Sequence, residues 1–209
     1  MLNRTRLALA VTILLLAPNV TYAHSKSTLH DTMRRLWSDH VAYTRLFIVN
    51  AASGSADKEA TTQRLLQNQA DIGDAVVEFY GRDAGNQLTA LLKDHILIAA
   101  SIVTAAKAGD NAKVTSENTR WRANATDIAK FLHAANPKHW PQATLEESMF
   151  MHLDQTLSEA SNELKGDYAA SIRNYDDAMT HMLMMADVLS DGIAAQFPAK
   201  FSNAGGKRK

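Results

Sequence analysis

The stretch "LLKDHILIAASIVTAA", residues 91–106, decides the fold class of this chain. Its apolar residues recur at intervals of three and four, which is the period of an α-helix rather than of a β-strand. The same period runs through other long stretches that are rich in Ala, Leu, Met, Gln, Lys and Glu and poor in glycine and proline. One residue does not fit an apolar face: His95 stands in the middle of the stretch. The pattern therefore predicts a helical chain and leaves an imidazole at a core position to be explained.

Six helical segments follow from this periodicity and its interruptions. The predicted helices cover about 28–52, 58–80, 83–108, 110–134, 142–165 and 167–196. The second segment is expected to break near 71–73, where "DIG" interrupts the pattern. Short connections between long amphipathic helices favour antiparallel neighbours. We therefore predict an all-α fold, an antiparallel up-and-down helical bundle of about five to six helices.

The two ends of the chain differ in composition from the rest. Arg4 and Arg6 precede an apolar run over 7–17, and "TYA" at 21–23 offers a cleavage site, so residues 1–23 are predicted to be a signal peptide. A retained membrane anchor is the alternative, although the apolar run is short for a span. Residues 24–200 then form a single helical bundle domain, and residues 201–209 a flexible basic tail. These features predict a periplasmic or secreted protein with no membrane span after cleavage.

Charge and cysteine content exclude several classes of protein. The chain has 22 Lys and Arg against 22 Asp and Glu, and removal of two arginines with the leader leaves 20 against 22. A mature charge of about −2 provides no general attraction for nucleic acid. There is no cysteine. Disulfides, thiolate zinc sites, iron–sulfur clusters and covalently attached haem are therefore excluded.

Four histidines lie close to the midpoints of the predicted helices. Each is within about two residues, or roughly 3 Å along the axis, of the midpoint of its helix. In a bundle of antiparallel helices of similar length, the midpoints lie at the same height. A turn near Gly166 independently sets His152 level with His181. His40 and His95 fall in apolar rows and are predicted to face inward, whereas stronger apolar rows run beside the other two. The sequence thus predicts one layer of imidazoles, with the direction of two of them open.

We interpret this layer as a metal site formed by His40, His95, His152 and His181. Imidazole suits copper, zinc and haem iron, and the neighbouring methionines of "MFMH" and "HMLMM" add soft thioethers, so copper or zinc is preferred and haem comes second. Asp39, Asp94 and Asp177 are the candidate acceptors behind the imidazoles. The alternative is a metal-free interaction or small-ligand-binding bundle in which the histidines form a buried hydrogen-bond network.

Motifs for catalysis are absent from the sequence. It contains no Glu-x-x-His pair, no His-Glu-x-x-His, no Gly-x-Ser-x-Gly and no P-loop. We therefore expect binding of a metal ion or small ligand rather than catalysis, and metal-assisted catalysis would require an open coordination position. His30, His133 and His139 are expected to be surface or capping residues, and Trp121 is expected to pack in the core.

Several longer motifs carry a resemblance. The stretches "LWSDHVAYTR" at 36–45, "FYGRDAGNQLTALLKDHI" at 79–96, "WRANATDIAKFL" at 121–132 and "NYDDAM" at 174–179 resemble those of a group of short, exported, uncharacterised bacterial all-helical proteins. The resemblance covers nearly all of the mature chain. It implies a helical, exported protein and brings no named function and no binding residues.

Overall fold

A computed structural model describes residues 25–201 of the chain. The predicted signal peptide and residues 202–209 of the basic tail lie outside the described residues. Within 25–201 the chain forms six helices and no strand: α1 Lys26–Ser53, α2 Lys58–Tyr80, α3 Arg82–Ala108, α4 Asn111–Ala135, α5 Gln142–Lys165 and α6 Tyr168–Gln196, followed by a 3₁₀ turn over Pro198–Phe201. The predicted all-α class is confirmed.

Side-chain caps begin three of the helices. The hydroxyl of Ser25 accepts a hydrogen bond from the backbone N–H of Thr28 at 2.9 Å, which caps α1. Asp110 accepts from the N–H of Lys113 and Asp167 from that of Ala170, each at 3.0 Å, which caps α4 and α6. Each cap satisfies one of the donors that a helix start leaves unpaired.

Three glycines end the odd-numbered helices and give the chain a repeating plan. Gly54, Gly109 and Gly166 follow α1, α3 and α5 with φ values of 76°, 74° and 79°, a left-handed conformation that favours glycine. They are evenly spaced, at 55 residues from 54 to 109 and 57 residues from 109 to 166. The bundle therefore consists of three helical hairpins, α1–α2, α3–α4 and α5–α6, built to one pattern.

Helix α2 is continuous, and the predicted break near 71–73 is wrong. Gly73 is instead a point of close approach between α2 and α3. A Cβ on this residue would meet the hydroxyl of Thr89 at 2.0 Å and the backbone carbonyl of Gly85 at 2.6 Å. The glycine is present because two helix backbones pass here with no room for a side chain, not because the helix ends.

The contacts between the six helices form a closed cycle, and three of the helices lie innermost. Each helix contacts the next along the chain, and α6 returns to contact α1. Because neighbours alternate in direction, α1, α3 and α5 all run the same way. These three helices also contact one another. Side chains on their inner faces therefore meet at the middle of the bundle.

One helix within the described residues is long and apolar enough to cross a membrane by composition alone. This helix is α3, with a mean hydropathy of 1.5 over its most apolar 18 residues. In the bundle it packs between α2 and α4.

Candidate functional site: a buried histidine layer

Each helical hairpin contributes two residues to one polar layer. A histidine lies 14 residues before the capping glycine, and a second polar residue lies 15 residues after it, on the returning helix. The histidines are His40, His95 and His152, and their counterparts in the same order are Gln69, Asn124 and His181. Because the two positions are nearly equidistant from the turn, they lie at the same height. All six helices therefore supply one polar residue to the layer.

The three histidines of the central helices meet in the interior. The ring centroids of His40 and His152 are 5.6 Å apart, and those of His95 and His152 are 5.8 Å apart. Their exposed fractions are only 2%, 2% and 4%. The structure thus brings together three of the four side chains nominated by the sequence, including His152, whose direction the apolar rows left open.

Asn124 fixes the tautomer of His95. The amide nitrogen of Asn124 donates to the carbonyl of Leu91 at 3.1 Å, so its oxygen is the atom that faces the imidazole. Nδ1 of His95 lies 2.8 Å from this oxygen and must donate to it. In the neutral ring the proton then sits on Nδ1, and Nε2 carries a free lone pair. That Nε2 is buried and has no hydrogen-bond partner among the described residues.

Gln69 holds His40 in the opposite tautomer. Its amide nitrogen donates to the carbonyl of Leu65 at 2.8 Å and faces Nδ1 of His40 at 3.3 Å. The same nitrogen also donates to Oδ1 of Asn68 at 3.1 Å, so its two protons are shared among three acceptors. Because an amide nitrogen cannot accept, the contact with His40 is a hydrogen bond only when Nδ1 accepts and the ring proton sits on Nε2. The amide oxygen of Gln69 is buried without a hydrogen-bond partner within 25–201. The amides of the first two hairpins occupy equivalent places. Gln69 turns its nitrogen toward its histidine, whereas Asn124 turns its oxygen.

In the third hairpin a histidine takes the place of the amide. Nε2 of His181 donates to the backbone carbonyl of Ser148 at 2.9 Å and lies 3.2 Å from its hydroxyl. This nitrogen is therefore committed to α5, and only Nδ1 of His181 is left with a lone pair. His152 itself has a buried Nδ1 with no partner in the described part of the chain. His181 is buried beside the central trio, with 8% of its surface exposed.

Two indole rings border the layer. Trp37 contacts His40 with ring centroids 5.5 Å apart, and Trp121 contacts His95 at 5.0 Å. Trp121 therefore packs in the core as predicted. Five buried polar atoms of this region lack a hydrogen-bond partner within 25–201: Trp37 Nε1, Gln69 Oε1, His95 Nε2, Trp121 Nε1 and His152 Nδ1. Such groups are costly in a protein interior, so their concentration in one layer requires an explanation.

The environment keeps the three imidazoles uncharged. The pKa of His40 is lowered to about 3, first by burial and then by nearby His95, while the hydrogen bond with Gln69 opposes the shift. Burial likewise lowers the pKa of His95 to about 4 against the effect of its bond to Asn124. The pKa of His152 lies well below its ordinary value, first because of burial and then because three other histidines surround it. Neutral imidazoles keep the lone pair that a metal ion requires.

The carboxylates nominated as acceptors do not support the layer. Amides and a backbone carbonyl take that place, and within residues 25–201 no hydrogen bond joins Asp39, Asp94 or Asp177 to these histidines. Asp39 instead lies 3.5 Å from Arg35 and 3.6 Å from Arg64. For Asp39 and Asp94 the reason is geometric, because each precedes its histidine by one residue and consecutive helical positions point about 100° apart. Asp177 lies one turn before His181 but is exposed to solvent, and His181 donates to Ser148 instead.

The next layer toward the start of the central helices encloses a small apolar cavity. It measures about 20 Å³, close to the space that one water-sized sphere requires. Trp37, Leu92 and Met149 line it, and each lies three residues before a histidine of the central trio. Two further methionines, Met33 and Met185, face the same space. Thioether sulfurs and indole rings therefore adjoin the imidazole layer on this side.

A second polar cluster lies two helical turns away on the opposite side. Arg45 pairs with Glu159 at 3.2 Å and with Glu163 at 3.1 Å. Ser171 donates to Glu163 at 2.7 Å and also contacts Arg45. Burial raises the pKa of Glu159 to about 7, although its bonds to Arg45 oppose the shift and Glu163 adds to it. One arginine thus serves two buried carboxyl groups.

Two of the histidines expected outside the layer make local contacts. Nε2 of His30 lies 2.8 Å from the carboxylate of Asp187. Nδ1 of His133 donates to the backbone carbonyl of Trp140 at 2.8 Å, near the end of α4. Both contacts fit the surface and capping roles expected for these residues.

As they stand, no group of three or more histidine or carboxylate side chains within 25–201 is arranged to hold a metal ion. The imidazole nitrogens of the layer do not converge on one point without movement of the rings. Comparison of the chain with protein-family models, with curated proteins and with solved structures finds no match. Any assignment of function therefore rests on the chemistry of the layer.

Proposed function

We propose that this protein binds one transition-metal ion, copper or zinc, through His40, His95 and His152 in the middle of the bundle. The observation that carries the proposal is the unpartnered Nε2 of His95, whose lone pair is set free and held in direction by Asn124. Metal-bound histidines commonly donate their second ring nitrogen to a fixed acceptor in this way. A second unpartnered nitrogen is Nδ1 of His152, whose ring centroid lies 5.8 Å from that of His95.

The spacing of the rings supports a shared ion. With metal–nitrogen bonds of about 2.0–2.1 Å, each ring centre lies roughly 3.2 Å from the ion, so two such centres are about 5.2–5.5 Å apart. The observed separations are 5.6 Å and 5.8 Å. For these two pairs, binding therefore requires the rings to turn and to approach by a few tenths of an ångström. The torsion that turns a histidine ring is broad and inexpensive to change.

His40 must change tautomer to take part through Nε2. Rotation of the Gln69 amide would place its unpartnered oxygen against Nδ1 of His40, which would then donate and free Nε2. This rotation would break the bonds of the amide nitrogen to Leu65 and Asn68, so metal binding has to offset their loss. The first hairpin would then match the second, in which Asn124 already accepts from His95. His181 corresponds in position to these two amides. Ligation by His181 would have to use Nδ1, since its Nε2 donates to Ser148.

A single ion fits the space better than haem does. The enclosed cavity beside the layer measures about 20 Å³, and apolar side chains of all six helices surround it. A porphyrin would require the central helices to separate. The occupant that we propose is therefore a single ion. That the bundle is exported is an expectation from the predicted signal peptide at residues 1–23.

The metal content of the purified protein tests the proposal. The full chain, expressed with its leader and purified after export, is dialysed and measured by mass spectrometry of its metals. We expect about one copper or zinc per chain in the wild type and in His139→Asn, and almost none in His95→Asn. Circular dichroism of each variant verifies that it is folded. Absence of metal from the wild type, or equal loss in both variants, would overturn the proposal.

A metal-free histidine network is the second candidate. It is favoured by the present tautomer of His40, whose Nε2–H can donate into the layer, and by the two unpartnered indole N–H groups of Trp37 and Trp121. In this case no metal is retained. Removal of His95 would then lower the free energy of unfolding by roughly 1–3 kcal/mol equally in the presence and absence of metal.

A further inference from the structure

We propose that the layer selects copper(I) over zinc(II) and copper(II); this inference rests on the proposed metal site and specifies its occupant. The structure offers three reasons: the charge of the layer, the number of its donors, and the chemistry of the adjoining layer.

The first reason is charge. The six residues that form the layer are four histidines, a glutamine and an asparagine, and none of them is a carboxylate. The buried carboxylates Glu159 and Glu163 are already paired with Arg45, and Glu159 lies seven residues after His152, roughly 10 Å along α5. The free energy of moving an ion out of water rises with the square of its charge. A divalent ion among neutral donors therefore has about four times the cost of a monovalent one.

The second reason is the number of donors. His40, His95 and His152 come from three parallel helices that surround the centre of the bundle, one from each equivalent hairpin. These three rings are the candidate donors, and the fourth histidine of the layer, His181, is tied to Ser148 through its Nε2. Zinc held by three histidines completes its tetrahedron with a water molecule or substrate, whereas the space beside this layer is lined by apolar and aromatic side chains. Copper(I), with a filled d shell and a single charge, is satisfied by three donors in a plane.

The third reason is the adjoining layer. Met149 lies three residues before His152, about 4.5 Å along the helix axis, and faces the cavity that borders the imidazoles. Thioether sulfur is a soft ligand that favours copper(I) over zinc. An ion displaced slightly from the plane of the three nitrogens toward this cavity would approach soft and aromatic groups rather than water.

Competition with chelators of known affinity tests the selection. Metal-free full-length protein is titrated without oxygen with copper(I) held by bathocuproine disulfonate, and in parallel with zinc(II) and copper(II) held by chelators suited to each. We expect one copper(I) per chain, bound at least about 100-fold more tightly than zinc(II). The same variants, His95→Asn and His139→Asn, serve as the site and control substitutions.

The contribution of the cavity is tested by Met149→Leu, with the exposed Met151→Leu of the same helix as its control. Met149→Leu should weaken copper(I) binding about tenfold and leave zinc binding unchanged, whereas Met151→Leu should alter neither. If zinc(II) or copper(II) binds as tightly as copper(I), the selection is wrong while the metal site stands. If none of the three ions binds, both proposals fail.

Discussion

His95 and Asn124 are joined by a hydrogen bond of 2.8 Å between Nδ1 and Oδ1, although 29 residues separate them in the chain. His40 and Gln69 are separated by the same 29 residues and face each other at 3.3 Å. The interval recurs between His152 and His181. One structural rule, counted from three glycine turns, therefore sets the whole polar layer.

Replacement of Asn124 by alanine should release His95. The substitution removes both the acceptor for Nδ1 and the bond to Leu91, so the imidazole can rotate and exchange its tautomer. We expect metal affinity to fall about 10- to 100-fold and the free energy of unfolding to fall by roughly 1–3 kcal/mol. Chelator competition and urea unfolding measure the two effects. Asn118→Ala on the same helix, outside the layer, should leave the metal affinity unchanged.

Acid should destabilise the metal-free protein through its histidines. In the unfolded chain a histidine gains a proton near its ordinary pKa of about 6.5, whereas burial lowers the pKa of His95 to about 4 in the folded state. Between these values the unfolded state binds the additional proton, so stability falls as pH decreases. Each such histidine contributes a slope of about 1.4 kcal/mol per pH unit. Urea unfolding at several pH values, with chelator present, measures how the free energy of unfolding changes with pH. In His95→Asn this change should be smaller by the contribution of one proton, about 1.4 kcal/mol per pH unit.

Glu159 should have the opposite effect. Burial raises the pKa of its carboxyl group from 4.5 to about 7, so the folded protein retains a proton that the unfolded chain loses in this range. The contribution of this group to stability therefore falls as pH rises from about 4.5 to 7, by at most about 1.4 kcal/mol per pH unit. Glu159→Gln should flatten this part of the stability profile. The same change at exposed Glu147 should not, and an unchanged profile in Glu159→Gln would contradict the assignment.

Gly73→Ala should destabilise the bundle, although alanine is the better helix former by about 1 kcal/mol. The added methyl group would lie 2.0 Å from the hydroxyl of Thr89 and 2.6 Å from the carbonyl of Gly85. We expect a loss of roughly 1–3 kcal/mol, as for other overpacked contacts. Thermal unfolding of Gly73→Ala with and without Thr89→Ala tests the cause. The second change should restore only part of the stability, because the carbonyl of Gly85 belongs to the backbone.

The helices and the common level of the histidines could be predicted from periodicity, but the direction of every side chain could not. A helix near the centre of a six-membered bundle is buried over a wide arc, so competing apolar rows are no guide to which one faces the axis. In α5 both His152 and Leu153 are buried, at 4% and 0% exposure. The apolar row that contains Leu153 is the stronger one in the sequence, yet the adjacent His152 is buried as well.

The partners of the histidines were missed because carboxylates were expected to support them. Gln69 and Asn124 are amides on helices whose other residues read as ordinary amphipathic sequence. The signal that identifies them is their distance from a glycine turn. The same count that pairs His152 with His181 pairs the histidine of each earlier hairpin with its amide about Gly54 and Gly109. Gly73 was likewise misinterpreted as a helix break. The glycine is required by the close approach of α3, and the residues around Gly73 in the sequence do not indicate that contact.

The three glycine turns have a consequence for how assembly of the histidine layer depends on dilution. A single hairpin of about 55 residues has one central histidine, and three separate hairpins would have to associate before three such histidines met. Here the connections at Gly81 and at 136–141 join all three units. Assembly of the donors is therefore an internal event of one molecule, and its extent is the same at nanomolar and at millimolar protein.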